Sequence, residues 1–309
     1  MSRHTTSLRR AACAASFASL MAVVAPANAA ATFTASLSFP GSDHDASESN
    51  GVAAGLQDLY ALANATVVSA RASADPNGIG ASSGVQMPIQ PAGIVTAATG
   101  ASATFRFDDI VFTNPDAPGS QVPIEVAARF RLHGSFSLLN GSFDTRAFAG
   151  VSVDYGLGTG LANAVRTIGS ITRQRDRNNA SALESGVLQI AEIDDAFLIH
   201  VDFVTPTLTV QSGVPVPLLL RIITTTDVVS RDGGAASAAA SFHDTLTFAP
   251  EGPVFILPEG YTASSAQAGI VDNRLAPVPV PAAGWLLLSA LVAAAPAARG
   301  RAAWQPARR

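Results

Sequence analysis

The chain has 309 residues, of which 48% are hydrophobic, and its 19 basic and 23 acidic side chains give a formal net charge of −4. Every basic residue is arginine, and seven of them lie in the first ten or the last eleven positions; without these ends, 12 arginines and 23 acids leave a net charge of −11. This strongly negative charge of the body, the part of the chain between the two ends, argues against nucleic acid or anionic lipid as a partner. The single cysteine excludes an intramolecular disulfide.

The first 30 residues have the pattern of a secretory signal peptide. Arginines within residues 3–10 give a positive start, an apolar run follows over 11–24, and Ala27 and Ala29 form a small-x-small cleavage site. We therefore predict that signal peptidase removes residues 1–30 during export. Cys13 would leave with the signal, so we expect no thiol in the mature chain.

Between the two ends, alternation of apolar and polar residues predicts an all-β domain over residues 31–263. The clearest case is 32–39, where Phe33, Leu37 and Phe39 share one face. Many short strands separated by turn residues are typical of an antiparallel β-sandwich, here of jelly-roll-like type. Long loops are predicted over 75–83, 90–100 and 157–186. The further strand candidates are 65–74, 103–112, 124–132, 135–139, 147–155, 187–193, 197–203, 208–211, 217–226, 236–248 and 254–257.

Two segments invite a second interpretation. In residues 51–63, Leu56, Leu59 and Tyr60 recur at helical spacing behind Asn50, so a helix there is as open as a continuation of the β pattern. The arginine-rich run 173–179 is the one basic cluster of the mature body. We predict that it forms a solvated hairpin loop, and a binding site for a ligand such as an acidic polysaccharide is the alternative.

Metal ligands are sparse. Asp43, Asp45 and Glu48 lie close together in a loop-like stretch and are weak calcium candidates, because the glycine and the spacing of an EF-hand are absent. His200 and Asp202 share a strand face, yet no third ligand has a recognisable spacing. We predict no cofactor, with calcium as the open alternative.

The end of the sequence combines a proline-rich strip, an apolar run and an arginine cluster. We predict a linker over 264–281, in which Pro279 and Pro281 enforce an extended backbone. Residues 282–298 carry no charge and, as a helix, would span roughly 25 Å, slightly less than a ~30 Å hydrocarbon core. The positive-inside rule then places a basic tail, 299–309, in the cytoplasm. Its arginines are Arg299, Arg301, Arg308 and Arg309.

This arrangement resembles the PEP-CTERM class of sorting signals, in its VPLPA-type variant, which exosortases process in Gram-negative bacteria. The matching residues are Val278, Pro279, Val280, Pro281 and Ala282, with Val280 where leucine is usual. The resemblance implies that an exosortase-like enzyme cuts near this motif and releases the body or transfers it to an envelope or matrix acceptor. A tail anchor that simply stays in the membrane is the alternative.

Residues 248–274 resemble the closing segment that precedes the tail in PEP-CTERM proteins. The resemblance lies in a last strand followed by the turn Pro258-Glu259-Gly260-Tyr261. It implies that the β-domain ends near Ala263.

Three classes of function remain open. A structural or adhesive protein of the envelope or of an exopolysaccharide matrix comes first, because no catalytic motif is present and we expect no enzyme. A secreted carbohydrate-binding module is second, since the mature body has only three tyrosines and no tryptophan before Trp285. A secreted hydrolase, which would need two carboxylates in a cleft, is third.

Overall fold

A computed structural model describes most of the chain between residues 31 and 276. No helix able to cross a membrane occurs among the residues that it describes, and the predicted spanning segment 282–298 lies outside them. The described ranges are 31–39, 46–50, 53–61, 66–76, 78–90, 93–140, 144–158, 165–176, 180–188 and 198–276.

The described residues form an all-β structure in which every strand pair is antiparallel, as predicted. Alternation of buried apolar and exposed polar side chains along the strands is the physical reason, because each strand covers a core with one face only. The strands are β1 (Thr32–Ser38), β2 (Ala46–Asn50), β3 (Ala54–Ala61), β4 (Val67–Asp75), β5 (Gly78–Met87), β6 (Val95–Thr113), β7 (Pro123–Asn140), β8 (Thr145–Leu157), β9 (Arg166–Arg175), β10 (Ala180–Gly186), β11 (Leu198–Val204), β12 (Leu208–Gln211), β13 (Pro215–Ser230), β14 (Ala236–Phe248), β15 (Phe255–Ile256), β16 (Thr262–Ser264), β17 (Ile270–Val271) and β18 (Arg274–Leu275).

Two sheets contain sixteen of these strands. The first sheet has the order β10-β9-β8-β13-β6-β1-β2, with β16 added to β6. The second sheet has the order β11-β7-β14-β5-β4-β3, with β12 and β15 added to β7, while β17 and β18 form a separate hairpin. Long central strands therefore alternate between the sheets, since β5, β6, β7 and β8 belong in turn to the second, first, second and first sheet.

The inner faces of the two sheets share one buried core. Phe105 of β6 and Phe248 of β14 have ring centroids 5.8 Å apart, and Phe130 of β7 lies 6.0 Å from Tyr155 of β8. All four rings are buried. Contacts of this kind across the sheets fix which face of each strand is inside and leave the opposite face of the first sheet to solvent.

Several segments predicted as loops are strands. β5 lies partly in the predicted loop 75–83, β6 begins within 90–100, and β9 and β10 lie within 157–186. Glycine, serine and alanine dominate β5, so its composition resembles a loop, but Ile79, Val85 and Met87 alternate into the core. Pairing with β4 and β14 on either side supplies the remaining stabilisation.

The helical interpretation of residues 51–63 is wrong for the described part, because 54–61 form β3 and pair with β4. A short isolated helix is marginal in water, whereas the edge of β4 offers a complete ladder of backbone hydrogen bonds. Leu59, which the helical pattern placed on the apolar face, is 67% exposed.

The described part of the arginine-rich run, 173–176, belongs to the hairpin of β9 and β10, but 173–175 are strand and not a solvated loop. Arg173 is buried on the inner face of β9 and its guanidinium lies 3.9 Å from Glu184 of β10. Burial lowers the pKa of Arg173, and the Glu184 carboxylate partly offsets that effect. Arg175, two residues on, is exposed.

Residues beyond 263 continue the packed domain. Ser265, Ala268 and Ile270 are buried, and the backbones of Ser265 and Ile270 are joined by two hydrogen bonds. Backbone hydrogen bonds continue to Ala276, whose N–H donates to the Gly269 carbonyl oxygen at 2.7 Å, so residues 264–276, which we predicted as the start of a linker, belong to the described β structure.

Candidate functional site

A groove of about 550 Å³ crosses the outer face of the first sheet, within the size range of ligand pockets. It lies where the end of β1, the first half of β6, the second half of β13 and the start of β8 run side by side. We call it the outer groove. The side chains that face it are Ser36, Ser38, Ala98, Ser102, Arg146, Phe148, Ile223, Thr225 and Asp227.

The sequence of β13 explains why polar groups face this groove. Alternate residues from Val216 to Val228 are buried, and this inward set includes Thr224 and Thr226. The intervening residues, among them Thr225 and Asp227, therefore point outward. A run rich in β-branched residues favours the pleated backbone on which this alternation depends.

Two glycines make the floor of the groove low. Gly100 of β6 and Gly150 of β8 are the register partners of Thr225 on its two sides. A Cβ at Gly100 would lie 3.2 Å from the Thr224 carbonyl oxygen, and one at Gly150 would lie 3.2 Å from Thr225 Oγ1. The missing side chains leave Thr225 accessible from both flanks.

Hydroxyl groups line one side of the groove. Ser36 of β1 and Ser102 of β6 are register partners whose Oγ atoms are 2.6 Å apart, so they share a hydrogen bond. Ser38 follows two residues along β1 and is exposed. Each hydroxyl can both donate and accept, so this wall matches a ligand that itself carries hydroxyl groups.

The opposite side carries one ring and two charges. Phe148 is the register partner of Asp227, and Arg146 lies two residues before Phe148 on the same face of β8. The Arg146 guanidinium donates to Gln174 Oε1 at 2.5 Å, which fixes its position beside the ring. A second depression of about 260 Å³ continues the groove beyond Arg146.

Burial in the groove raises the pKa of the Asp227 carboxyl. The Arg146 guanidinium and a hydrogen bond from the Val228 backbone N–H offset this shift only in part. A half-buried carboxylate with an unfavourable environment costs stability unless something binds it. A ligand hydroxyl that donates to Asp227 would offset part of this desolvation cost.

The outer groove can bind a hydroxyl-rich ligand by three kinds of contact. The serine and threonine hydroxyls can donate to and accept from ligand hydroxyls, the Asp227 carboxylate can accept from them, and Phe148 offers an apolar ring face. Sequence reasoning missed the groove because its residues come from four strands. The signals present in the sequence were the outward threonine and aspartate of β13 and the isolated glycines of β6 and β8.

The residues predicted for sorting and cleavage lie outside the described ranges: Ala27, Ala29, the motif 278–282 and the arginines of 299–309. Asp43 and Asp45 also lie outside them. Glu48 belongs to β2, opposite Ala35, and not to a loop. Among the described side chains, no group of three or more His, Cys, Asp or Glu is placed to hold a metal ion.

One predicted histidine, His200, lies on the outer face of the second sheet. His200 and Asp202 lie on the same face of β11, as predicted, and their register partners on β7 are His133 and Arg131. The backbone of His243 lies in an irregular part of β14, between the pairs that β14 makes with Ser135 and Leu132 of β7.

No family model matches this chain, and no curated protein or solved structure does either. Any function must therefore be argued from the residues themselves.

Proposed function

We propose that the protein is an exported, non-enzymatic component of the cell envelope or extracellular matrix, with a structural or adhesive role. The outer groove is the observation that carries this proposal, because its hydroxyls, ring and carboxylate suit a polysaccharide chain. The body's net charge of −11 disfavours an acidic polysaccharide, since like charges repel. The proposed ligand is therefore a neutral, hydroxyl-rich exopolysaccharide.

The delivery part of the proposal rests on the two ends of the sequence. A signal peptide over 1–30 directs export, and the helix 282–298 holds the chain in the membrane with residues 299–309 in the cytoplasm. An exosortase-like enzyme then recognises the motif at 278–282, as the resemblance to PEP-CTERM signals implies. After cleavage the β-domain is released or attached to the envelope or matrix.

We further propose that the fold is a jelly-roll-like β-sandwich. Its support is the strand order: β14 lies between β5 and β7, while β13 lies between β6 and β8. In the same two sheets, β9 lies beside β8 and β11 lies beside β7. In this scheme β1, β2, β3, β4 and β10 extend the sheets beyond the eight strands of the basic jelly roll.

Affinity electrophoresis tests the binding proposal, with exopolysaccharide from the native host and a neutral glucan embedded in the gel. The wild-type chain should be retarded, and Phe148→Ala and Asp227→Asn should each migrate nearly as they do in a blank gel. The matched controls are Leu198→Ala, an exposed apolar residue on the other sheet, and Asp202→Asn. Equal retardation of wild type and both groove variants would refute the role of the groove.

Intact mass of the protein from cells and medium of its native host tests the delivery proposal. A chain that begins near Ala30 and ends near residue 280 supports processing. A chain that still ends at Arg309 in the membrane fraction contradicts it and leaves a plain tail anchor. The carbohydrate-binding module alone, and the secreted hydrolase, remain alternatives; release of reducing sugar from the bound polysaccharide would favour the hydrolase.

A further inference from the structure

His133 and His200 form a cross-strand pair on the outer face of the second sheet. They are register partners on the adjacent strands β7 and β11, and both side chains are exposed. Their ring centroids are 5.7 Å apart, and the ring planes meet at 71°. Neither ring contributes to the core, so the pair is free to take up a ligand from solvent.

The spacing of the two rings fits a shared metal ion. Imidazole nitrogens bind Zn²⁺ or a similar ion at about 2.0–2.1 Å, so two rings on one ion hold their centroids roughly 5–6 Å apart. Rotation about the metal–nitrogen bond leaves the interplanar angle unrestricted. Because the backbones are already joined in a ladder, the two ligands need little reorganisation.

The charged residues beside the pair make hydrogen bonds of their own and leave the two imidazoles accessible. The next cross-strand pair is Arg131 with Asp202, whose guanidinium and carboxylate are joined by hydrogen bonds of 2.7 and 2.9 Å. Arg129, one pair further along β7, donates to the carbonyl oxygen of Glu251 at 3.2 Å. The ion would therefore take two nitrogens from the protein and its other ligands from water.

We propose that His133 and His200 together bind one divalent transition-metal ion on the surface of the mature domain. The imidazole ligands select Cu²⁺, Ni²⁺ and Zn²⁺ over Ca²⁺ and Mg²⁺, which prefer oxygen. Among these ions Cu²⁺ binds most tightly, in the usual order for nitrogen sites. The site does not depend on the outer groove, which lies on the other sheet.

Calorimetric titration of the full chain with Cu²⁺ tests the site, in a Cys13→Ser/His4→Ala background, because a thiol would reduce the ion and a histidine beside a free N-terminal amine binds copper itself. We expect a single tight site whose electron paramagnetic resonance spectrum shows two equatorial nitrogens. His133→Ala and His200→Ala should each weaken binding about 100-fold, because the chelate becomes a single contact. The double variant should lose the remaining single-imidazole binding as well.

Two of the other three histidines, His44 and His243, provide matched controls. His44→Ala and His243→Ala should leave the affinity within about twofold, since ordinary scatter between unrelated variants is of that size. Thermal unfolding checks that both exposed substitutions preserve the fold. A one-nitrogen spectrum in the parent chain, unchanged affinity in His133→Ala and His200→Ala, or a loss in His243→Ala as large as theirs would each overturn the proposal.

Discussion

Asp109 of β6 is hydrogen-bonded to Ser265, which lies 156 residues later in the sequence. The Ser265 hydroxyl donates to Asp109 Oδ1 at 2.5 Å, and the Gln267 backbone N–H donates to Oδ2 at 2.9 Å. The same hydroxyl accepts from the Ala268 N–H at 2.9 Å. One buried carboxylate thus binds the segment that the sequence had suggested was a linker.

We expect Asp109→Ala to destabilise the domain by about 1–3 kcal/mol, because it leaves buried donors without an acceptor. For a domain of this size the melting temperature should fall by about 2–4 °C per kcal/mol. Amide hydrogen exchange should rise first in residues 264–276. The matched control is Asp108→Asn, whose side chain pairs with the exposed Arg106; an equal loss there would contradict a special role for Asp109.

Asn273 performs a similar function at the last described hairpin. Its φ of 60° lies in the left-handed region, and its side-chain amide both accepts from the Phe255 N–H and donates to the Phe255 carbonyl oxygen, each at 2.8 Å. The side chain therefore takes the place of a neighbouring strand beside β15.

Substitutions at Asn273 should separate the contribution of its side-chain hydrogen bonds from that of its left-handed backbone. Asn273→Gly keeps the left-handed backbone and loses the amide, at a cost of about 1–3 kcal/mol for two hydrogen bonds. Asn273→Ala should cost about 1 kcal/mol more, because it adds backbone strain. Urea unfolding measures the free energy of unfolding of both variants, and Asp272→Asn serves as a near-neutral control. If Asn273→Ala were as stable as Asn273→Gly, the backbone argument would be contradicted.

These contacts also show what the sequence could and could not predict. The all-β antiparallel class followed from alternation, as in the buried series of β13, because the signal is local. β5 was missed because its glycines and serines resemble a loop until β4 and β14 lie beside it. The hydrogen bonds of Asp109 to Ser265 and Gln267, and the outer groove, join residues that are distant in the sequence, and no local pattern encodes such contacts.

The pH dependence of stability should show the effect of the raised pKa of Asp227. Because burial raises its pKa above the value in the unfolded chain, the folded state binds this proton more tightly, and stability is lost as the pH rises through the folded pKa. Asp227→Asn should therefore melt higher than wild type at pH 7. The difference should vanish below the unfolded pKa of about 3.9.

Asp202 provides a control, because its pKa is shifted in the opposite direction from that of Asp227. The hydrogen bond from Arg131 lowers its pKa, so its contribution is present above the unfolded pKa and is lost as the pH falls through the folded pKa. Asp202→Asn should melt slightly lower than wild type at pH 7. A rise in both variants would show that removal of net negative charge, and not the burial of Asp227, explains the gain.

The proposed sorting motif can be tested apart from the proposed membrane insertion. The proposal relies on Pro279 and Pro281, because proline lacks an N–H and restrains the residue before it. A protease that reads an extended strip loses its substrate geometry when both become alanine, whereas the apolar run 282–298 is untouched. The double variant Pro279→Ala/Pro281→Ala should therefore enter the membrane normally and accumulate uncut, ending at Arg309 by intact mass. Pro277→Ala, just outside the motif, should be processed as the wild type is, and normal processing of the double variant would mean that the enzyme does not read this strip.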